Sequence, residues 1–87
     1  MKAVVTVVGR DRVGIIAKVS TLFSENNINI LDISQTIMKE MFTMIMLVEL
    51  KTASVKAINE ELNKLAEEMD LSIHLQHEGL FSSMHRI

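Results

Sequence analysis

The chain has 87 residues and a formal net charge of −2, and 48% of its residues are hydrophobic, which is enough for one domain with an apolar core. It lacks cysteine, which excludes disulfides, thiolate metal sites and thiol catalysis. The acidic balance argues against nucleic-acid and anionic-membrane partners, and no apolar run approaches the about 20 residues of a membrane span. We therefore expect a cytoplasmic protein without a signal peptide, with one domain over residues 1–87 whose last part, 78–87, is a C-terminal extension.

The first part of the chain predicts a strand followed by a helix. Residues 2–8 are valine-rich on both faces of the pleat, which is typical of a central strand. Asp11 is the predicted N-cap of the helix, and Asn26-Asn27 is its predicted end because asparagine tolerates the left-handed conformation. The apolar residues at helical spacing predict one buried face: Val13, Ile16, Val19, Leu22 and Phe23.

Residues 28–38 and 42–50 predict an antiparallel hairpin joined by a short turn at 39–41. The strand at 28–38 is long, which indicates a bend or a projecting edge. In the second strand the even-numbered residues are apolar and are expected to face the helices. Ile45 and Leu47 leave the other face half apolar, and either the C-terminal tail or a second copy is expected to cover it. Because the strand at 28–38 is an edge with few charges, we expect a homodimer or higher homo-oligomer, formed by extension of the sheet or by packing of its faces. The alternative is a monomer whose tail covers its own sheet.

The last part of the chain predicts a second helix and a fourth strand. Residues 53–69 carry a single apolar stripe, with Thr52 or Ser54 as the cap. Apolar and polar residues alternate over 71–77, as in a half-buried strand. The spacing of the apolar residues in the tail predicts a short helix. The predicted fold class is therefore α+β, a ferredoxin-like βαββαβ sandwich. Its antiparallel sheet has the order 4-1-3-2, with two helices on one face.

The turn from Gly9 to Ile16 joins the first strand to the first helix and predicts a small-ligand site. A helix N-terminus offers unpaired N–H groups and a favourable dipole to an anion. The glycine spacing is that of a P-loop, but Ile15-Ile16 stands where lysine and a hydroxyl would be needed, so nucleotide hydrolysis is not expected. The structural alternative is that Gly14 only permits close packing of the helix on the strand.

Catalytic, metal and RNA-binding patterns are weak. His74 and His77 point to opposite faces of a strand, and His85 lies in the tail, so no metal is expected. Asp11 and Asp32 read more simply as a cap and an exposed strand residue than as a catalytic pair. The sheet lacks the aromatic residues on which RNA-recognition modules stack bases. We therefore expect neither an enzyme nor a cofactor.

The first half of the chain resembles an ACT domain. The resemblance lies in Val7-Val8-Gly-Arg-Asp-Arg-Val-Gly-Ile-Ile-Ala-Lys-Val, in Leu22-Phe23 and in Asn27-Ile-Asn-Ile-Leu-Asp-Ile, and the ending from His77 is similar to that of small stand-alone bacterial and archaeal members. It implies a regulatory module that binds an amino acid, usually as a dimer, and whose state an unidentified protein partner reads. The alternative is an interaction or structural module without a small ligand.

The resemblance also implies a ligand site where the loop after the first strand meets the start of the second. Gly14 would let a carboxylate approach the backbone, Asn29 would hold the ligand through its amide, and Asp11 would meet an ammonium group or cap the helix. Many family members have proline where this chain has Val13, which leaves the loop less rigid and adds an N–H. The implied ligand-binding residues are Arg10, Asp11, Arg12, Val13, Gly14, Ile15 and Asn29.

Overall fold

The computed structural model describes residues 1–79, which follow the predicted βαββαβ order. The elements are β1 (Lys2–Arg10), α1 (Ile15–Glu25), β2 (Ile28–Met38), β3 (Met41–Leu50), α2 (Val55–Met69) and β4 (Leu71–His77). The four strands form one antiparallel sheet in the order β2-β3-β1-β4, which confirms the predicted topology. The predicted tail helix lies outside the described residues.

The core forms between one face of the sheet and the two helices, as the alternation of β3 predicts. Its even-numbered residues are buried, and β1 adds Ala3, Val5 and Val7 from the neighbouring strand. The apolar stripe of α2 is also confirmed, with Ile58 and Leu62 almost completely buried. The buried side chains of β3 are Phe42, Met44, Met46, Val48 and Leu50. The unbranched methionines let this aliphatic core close around few aromatic rings.

The buried face of α1 is confirmed in its second half and differs at its start. Val19 and Phe23 are buried and Leu22 packs partly buried against the core, as predicted. At the start, Ile15 is buried instead of Ile16, and Val13 precedes the helix and is exposed. Ile15 and Ile16 both fit a helical spacing with Val19, so periodicity alone does not distinguish them.

A β-bulge explains the length of β2. The pairing with β3 passes from Ile30↔Val48 to Asp32↔Leu47, so Leu31 is one extra residue in the strand. Beyond the bulge Ile33 is paired with the buried Met46 and lies on the helix side of the sheet. The bulge is the irregularity that the long strand predicts, and it keeps isoleucines on the helix side at both ends of β2.

The hairpin turn between β2 and β3 contains two residues, one fewer than predicted, because Met41 already pairs with Met38. Lys39 in this turn has a positive φ of 58°. The backbone N–H of Asp11 donates a hydrogen bond of 2.7 Å to the carbonyl of Glu40. The loop between β1 and α1 is therefore fixed beside the hairpin turn at one end of the sheet.

The start of α2 and the end of α1 agree with the predicted signals. Ser54 caps α2, since its hydroxyl accepts a hydrogen bond of 3.5 Å from the N–H of Ala57. Asn26 ends α1, with its side-chain amide donating to the carbonyl of Leu22 at 2.8 Å, and Asn27 has the left-handed backbone expected after a helix. Among residues 1–79, neither helix combines the length and the apolar character needed to cross a bilayer.

Candidate ligand-binding site

The start of α1 is organised by the backbone of Gly14. This residue is the N-cap and has φ 93° and ψ 0°, a conformation that glycine adopts without steric cost. The predicted capping by Asp11 is wrong. Asp11 lies three residues before the N-cap, where a side chain is not placed to bond the N2 and N3 amides, and no side chain in the described part of the chain caps this helix.

The first turn of α1 presents backbone amides without acceptors in the helix. The first helical hydrogen bond runs from the N–H of Lys18 to the carbonyl of Gly14, at 2.9 Å. The N–H groups of Ile15, Ile16 and Ala17 precede that bond and therefore have no partner within the helix. Together with the helix dipole they favour an anion at this end of α1.

The two glycines at this turn have different tasks. A Cβ at Gly14 would meet nothing within 4 Å, so the space beside it is open and the positive φ is what requires glycine. A Cβ at Gly9 would lie 2.5 Å from Cδ2 of Leu71 and 3.3 Å from the carbonyl oxygen of Asp70. The idea that Gly14 serves close packing is therefore wrong, and Gly9 has that role against the start of β4.

The other loop residues of the predicted site surround this open space unevenly. Arg10, Asp11 and Arg12 are exposed, and Val13 is 100% exposed. Ile15 is only 2% exposed, so its side chain belongs to the core and only its backbone N–H is available to a ligand. The loop therefore brings together backbone donors, two guanidinium groups and one carboxylate.

Asn29 does not join this loop within one chain. It pairs with Glu49 near one end of β3, whereas Gly9 pairs with Phe42 near the other end. At about 3.3 Å per residue, these positions lie about 23 Å apart along β3. The 11 residues of α1 span about 16 Å between the same two ends. The two halves of the predicted site thus stand at opposite ends of α1.

Asn29 instead lines an open cleft of about 550 Å³ at the C-terminal end of α1. Three apolar side chains, Phe23, Ile28 and Ile30, line the cleft together with five polar ones. The interpretation of the sequence missed four of these polar residues: Ser20, Ser24, Asn27 and Lys51. Ser20 and Ser24 share one face of α1 at i and i+4 spacing, which was the available signal, but Lys51 comes from the end of β3 and carries no local one.

Exposed large apolar side chains concentrate around one edge of the sheet. β2 forms that edge, as predicted, and Ile33 is 45% exposed on it. Among residues 1–79 and apart from Met1, the exposed large hydrophobic residues lie in the loop, the first turn of α1, β2 or β3: Val13, Ile16, Leu31, Ile33, Ile37, Met38, Met41 and Ile45. We call these eight residues the β2-side surface. Its exposure agrees with the expectation that β2 is a poorly protected edge.

The histidines of the described region make local contacts. Nε2 of His74 lies 3.0 Å from the hydroxyl of Ser72, and Nδ1 of His77 accepts a hydrogen bond of 3.1 Å from the N–H of Gly79. Within residues 1–79, no group of three or more potential ligands of the His, Cys, Asp and Glu types is arranged around a metal position.

Comparison with known proteins places the chain in a family. The family model of the ACT domain matches residues 2–76. The chain is 52% identical to a UPF0237 protein of Clostridium acetobutylicum over 100% of both chains. It is 50% identical to a UPF0237 protein of the archaeon Methanocaldococcus jannaschii over 99% of this chain and 98% of the relative.

A solved structure agrees with these sequence matches. An ACT domain protein from Streptococcus pneumoniae superposes with a TM-score of 0.82 and 36% identity, with 93% of each chain covered. The family model covers nearly the same residues as the βαββαβ unit described above. The chain therefore belongs to the ACT domain family, whose members are regulatory modules that bind small ligands.

Proposed function

We propose that this chain is a non-catalytic cytoplasmic sensor that binds an amino acid at the β1–α1 loop of a homodimer. The observation that carries the proposal is the uncapped start of α1, where Gly14 has a left-handed backbone beside open space. Free N–H groups at a helix N-terminus bind a carboxylate well. Asp11 supplies the charge that an ammonium group needs, and a further protein reads whether the site is filled.

A second copy completes this site. The loop lies beside the hairpin end of β2, and Asn29 lies at the start of the same strand. When two β2 strands pair antiparallel around a two-fold axis, the hairpin end of one strand meets the start of the other. The Gly14 loop of one protomer then faces Asn29 of its partner, and the exposed side chains of β2 lie beside those of the partner strand.

A thermal-shift screen of the twenty amino acids tests the proposal. A ligand that binds only the native state stabilises it by about 2.7 kcal/mol at a concentration one hundred times its Kd. Because the chain has neither tryptophan nor tyrosine, unfolding is followed by circular dichroism. We expect at least one amino acid to raise the Tm, and no shift at millimolar concentration for any of them would contradict the proposal.

Variants locate the site in the same assay. Gly14→Asn places a side chain in the open space at a position whose left-handed backbone asparagine tolerates, and Asn29→Ala removes the amide of the partner. Both are expected to abolish or strongly reduce the shift. The matched control is Asn63→Ala, at an exposed position of α2, which is expected to keep it.

The dimer is tested by native mass spectrometry. Ile33→Glu places a charge on the β2-side surface and is expected to give a folded monomer that no longer binds the amino acid. Lys56→Glu changes an exposed residue of α2 and serves as the charge control. A wild-type chain that stays monomeric at micromolar concentration, or an Ile33→Glu monomer that binds as well as wild type, would contradict the composite site.

The second candidate function is an interaction module without a small ligand. The β2-side surface favours it, since exposed apolar side chains around an unpaired strand edge favour a protein contact whether or not a ligand is present. This candidate predicts dimers or a captured partner together with no thermal shift for any amino acid, so the screen separates the two.

A further inference from the structure

The cleft beside Asn29 contains five polar side chains that the fold leaves unused. Among residues 1–79, Ser20, Ser24, Asn27, Asn29 and Lys51 make no side-chain hydrogen bond or ion pair. The neighbouring Asn26 shows the contrast, because its amide donates to the carbonyl of Leu22 and to the carboxylate of Glu61. Small-molecule sites are concave and combine apolar side chains with polar groups that fix the orientation of the ligand, and this cleft offers both kinds.

The charge of the cleft identifies the kind of group it binds. Lys51 carries the only formal charge among the described residues that line the cleft. Glu49 pairs with Asn29 across the hairpin but does not line the cleft. Two hydroxyls, two amides and an ammonium group are all able to donate to an anionic oxygen atom. Hydrogen bonds to a carboxylate from a charged donor are stronger than those between neutral groups.

The end of α1 does not cancel this preference. A helix C-terminus repels anions through its free carbonyl groups. Here the carbonyls of Leu22 and Phe23 accept the backbone N–H of Asn26, and that of Ser24 accepts the N–H of Asn27. These bonds occupy three of the last four carbonyls of the helix, and Lys51 adds a positive charge to the same cleft.

We infer that this cleft binds the side-chain carboxylate of a dicarboxylic amino acid, with Lys51 as the residue that selects it. The inference rests on the proposed function, in which the partner's β1–α1 loop holds the α-carboxylate. Antiparallel pairing of β2 strands brings that loop to the cleft, so one ligand is held at both of its carboxylates by two protomers. Ser20 and Ser24 then contribute hydrogen bonds to the same oxygen atoms.

Calorimetric titration of the full chain compares ligands that differ only in charge. Aspartate and glutamate are expected to bind with at least about tenfold higher affinity than asparagine and glutamine. The side-chain amides of asparagine and glutamine lack the negative charge that would pair with Lys51. Lys51→Met is expected to reduce the difference to about twofold or less. Lys56→Met, at an exposed position of α2 outside the cleft, is expected to leave the preference intact.

The outcomes separate this inference from the proposed function. If a neutral amino acid binds as tightly as the dicarboxylic ones, or Lys51→Met keeps their preference, the inference fails and the proposed sensor stands. If no amino acid binds, both fail. Inorganic phosphate is titrated in parallel, and binding of phosphate alone, lost in Lys51→Met, would show a simple anion site and overturn both.

Discussion

The two helices of this domain begin in opposite ways. At the start of α2, Ser54 closes the first turn with its own hydroxyl, as an ordinary surface helix requires. At the start of α1, Gly14 supplies only a left-handed backbone, and the first amides are left without a side-chain cap among the described residues. Both helices pack on the same core, so packing does not explain the difference. A helix start that is left open beside empty space is suited to a ligand.

Replacement of Gly14 by valine has the largest expected effect on this comparison. A β-branched residue at φ 93° costs about 2 kcal/mol of unfolding free energy, because its Cβ collides with the backbone in that region. Urea unfolding followed by circular dichroism measures the loss. Gly14→Asn is the control and is expected to lose less, since asparagine visits this conformation. Equal stability of Gly14→Val and wild type would show that the loop does not need a positive φ.

Removal of the cap on α2 is expected to have an intermediate effect. Ser54→Ala leaves the N–H of Ala57 without its acceptor and costs about 0.5–1 kcal/mol, at the lower end for a cap because the bond is long at 3.5 Å. Ser54→Asp is expected to restore the loss. Since α2 has no part in the proposed site, the thermal shift from an amino acid should be the same in both variants, and a changed shift would argue against the division between the helices.

Truncation of Asp11 is expected to have the smallest effect on stability. Its carboxylate caps nothing, and the hydrogen bond to Glu40 comes from the backbone N–H, which Asp11→Ala keeps. The unfolding free energy should change by less than about 0.5 kcal/mol. Ser54→Ala is the internal reference for a true cap. A loss at Asp11 as large as that at Ser54 would restore the capping role that the sequence pattern predicts.

Strand alternation and turn chemistry were sufficient to predict most of the fold. The alternation of β3 predicts its buried face without ambiguity, and the asparagines after α1 predict its end. The start of α1 was predicted wrongly because Asp11 is a good N-cap residue type and Val13 continues the apolar spacing. A left-handed glycine start leaves no such pattern, so the hydrophobic periodicity includes Val13 and Ile16 in the buried face and omits Ile15.

Only the part of the site that is contiguous in sequence could be predicted. The loop from Arg10 to Gly14 is contiguous in sequence, and its open backbone donors follow from a strand that leads into a helix. The separation of Asn29 from that loop depends on α1 running along the sheet, and Lys51 reaches the cleft from another strand. Contacts of this kind are set by topology and carry no signal in a single sequence.

The extra residue at Leu31 changes which residues of β2 share a face. Because side chains alternate along a strand, Ile28 and Ile30 lie on the helix side before the bulge, and Ile33 and Ile37 lie there after it. A regular pairing continued from Ile30 to the hairpin would instead turn Ser34 and Thr36 toward the helices and Ile33 and Ile37 away from them. One extra residue therefore allows even-numbered and odd-numbered isoleucines to contribute to the same face of the strand.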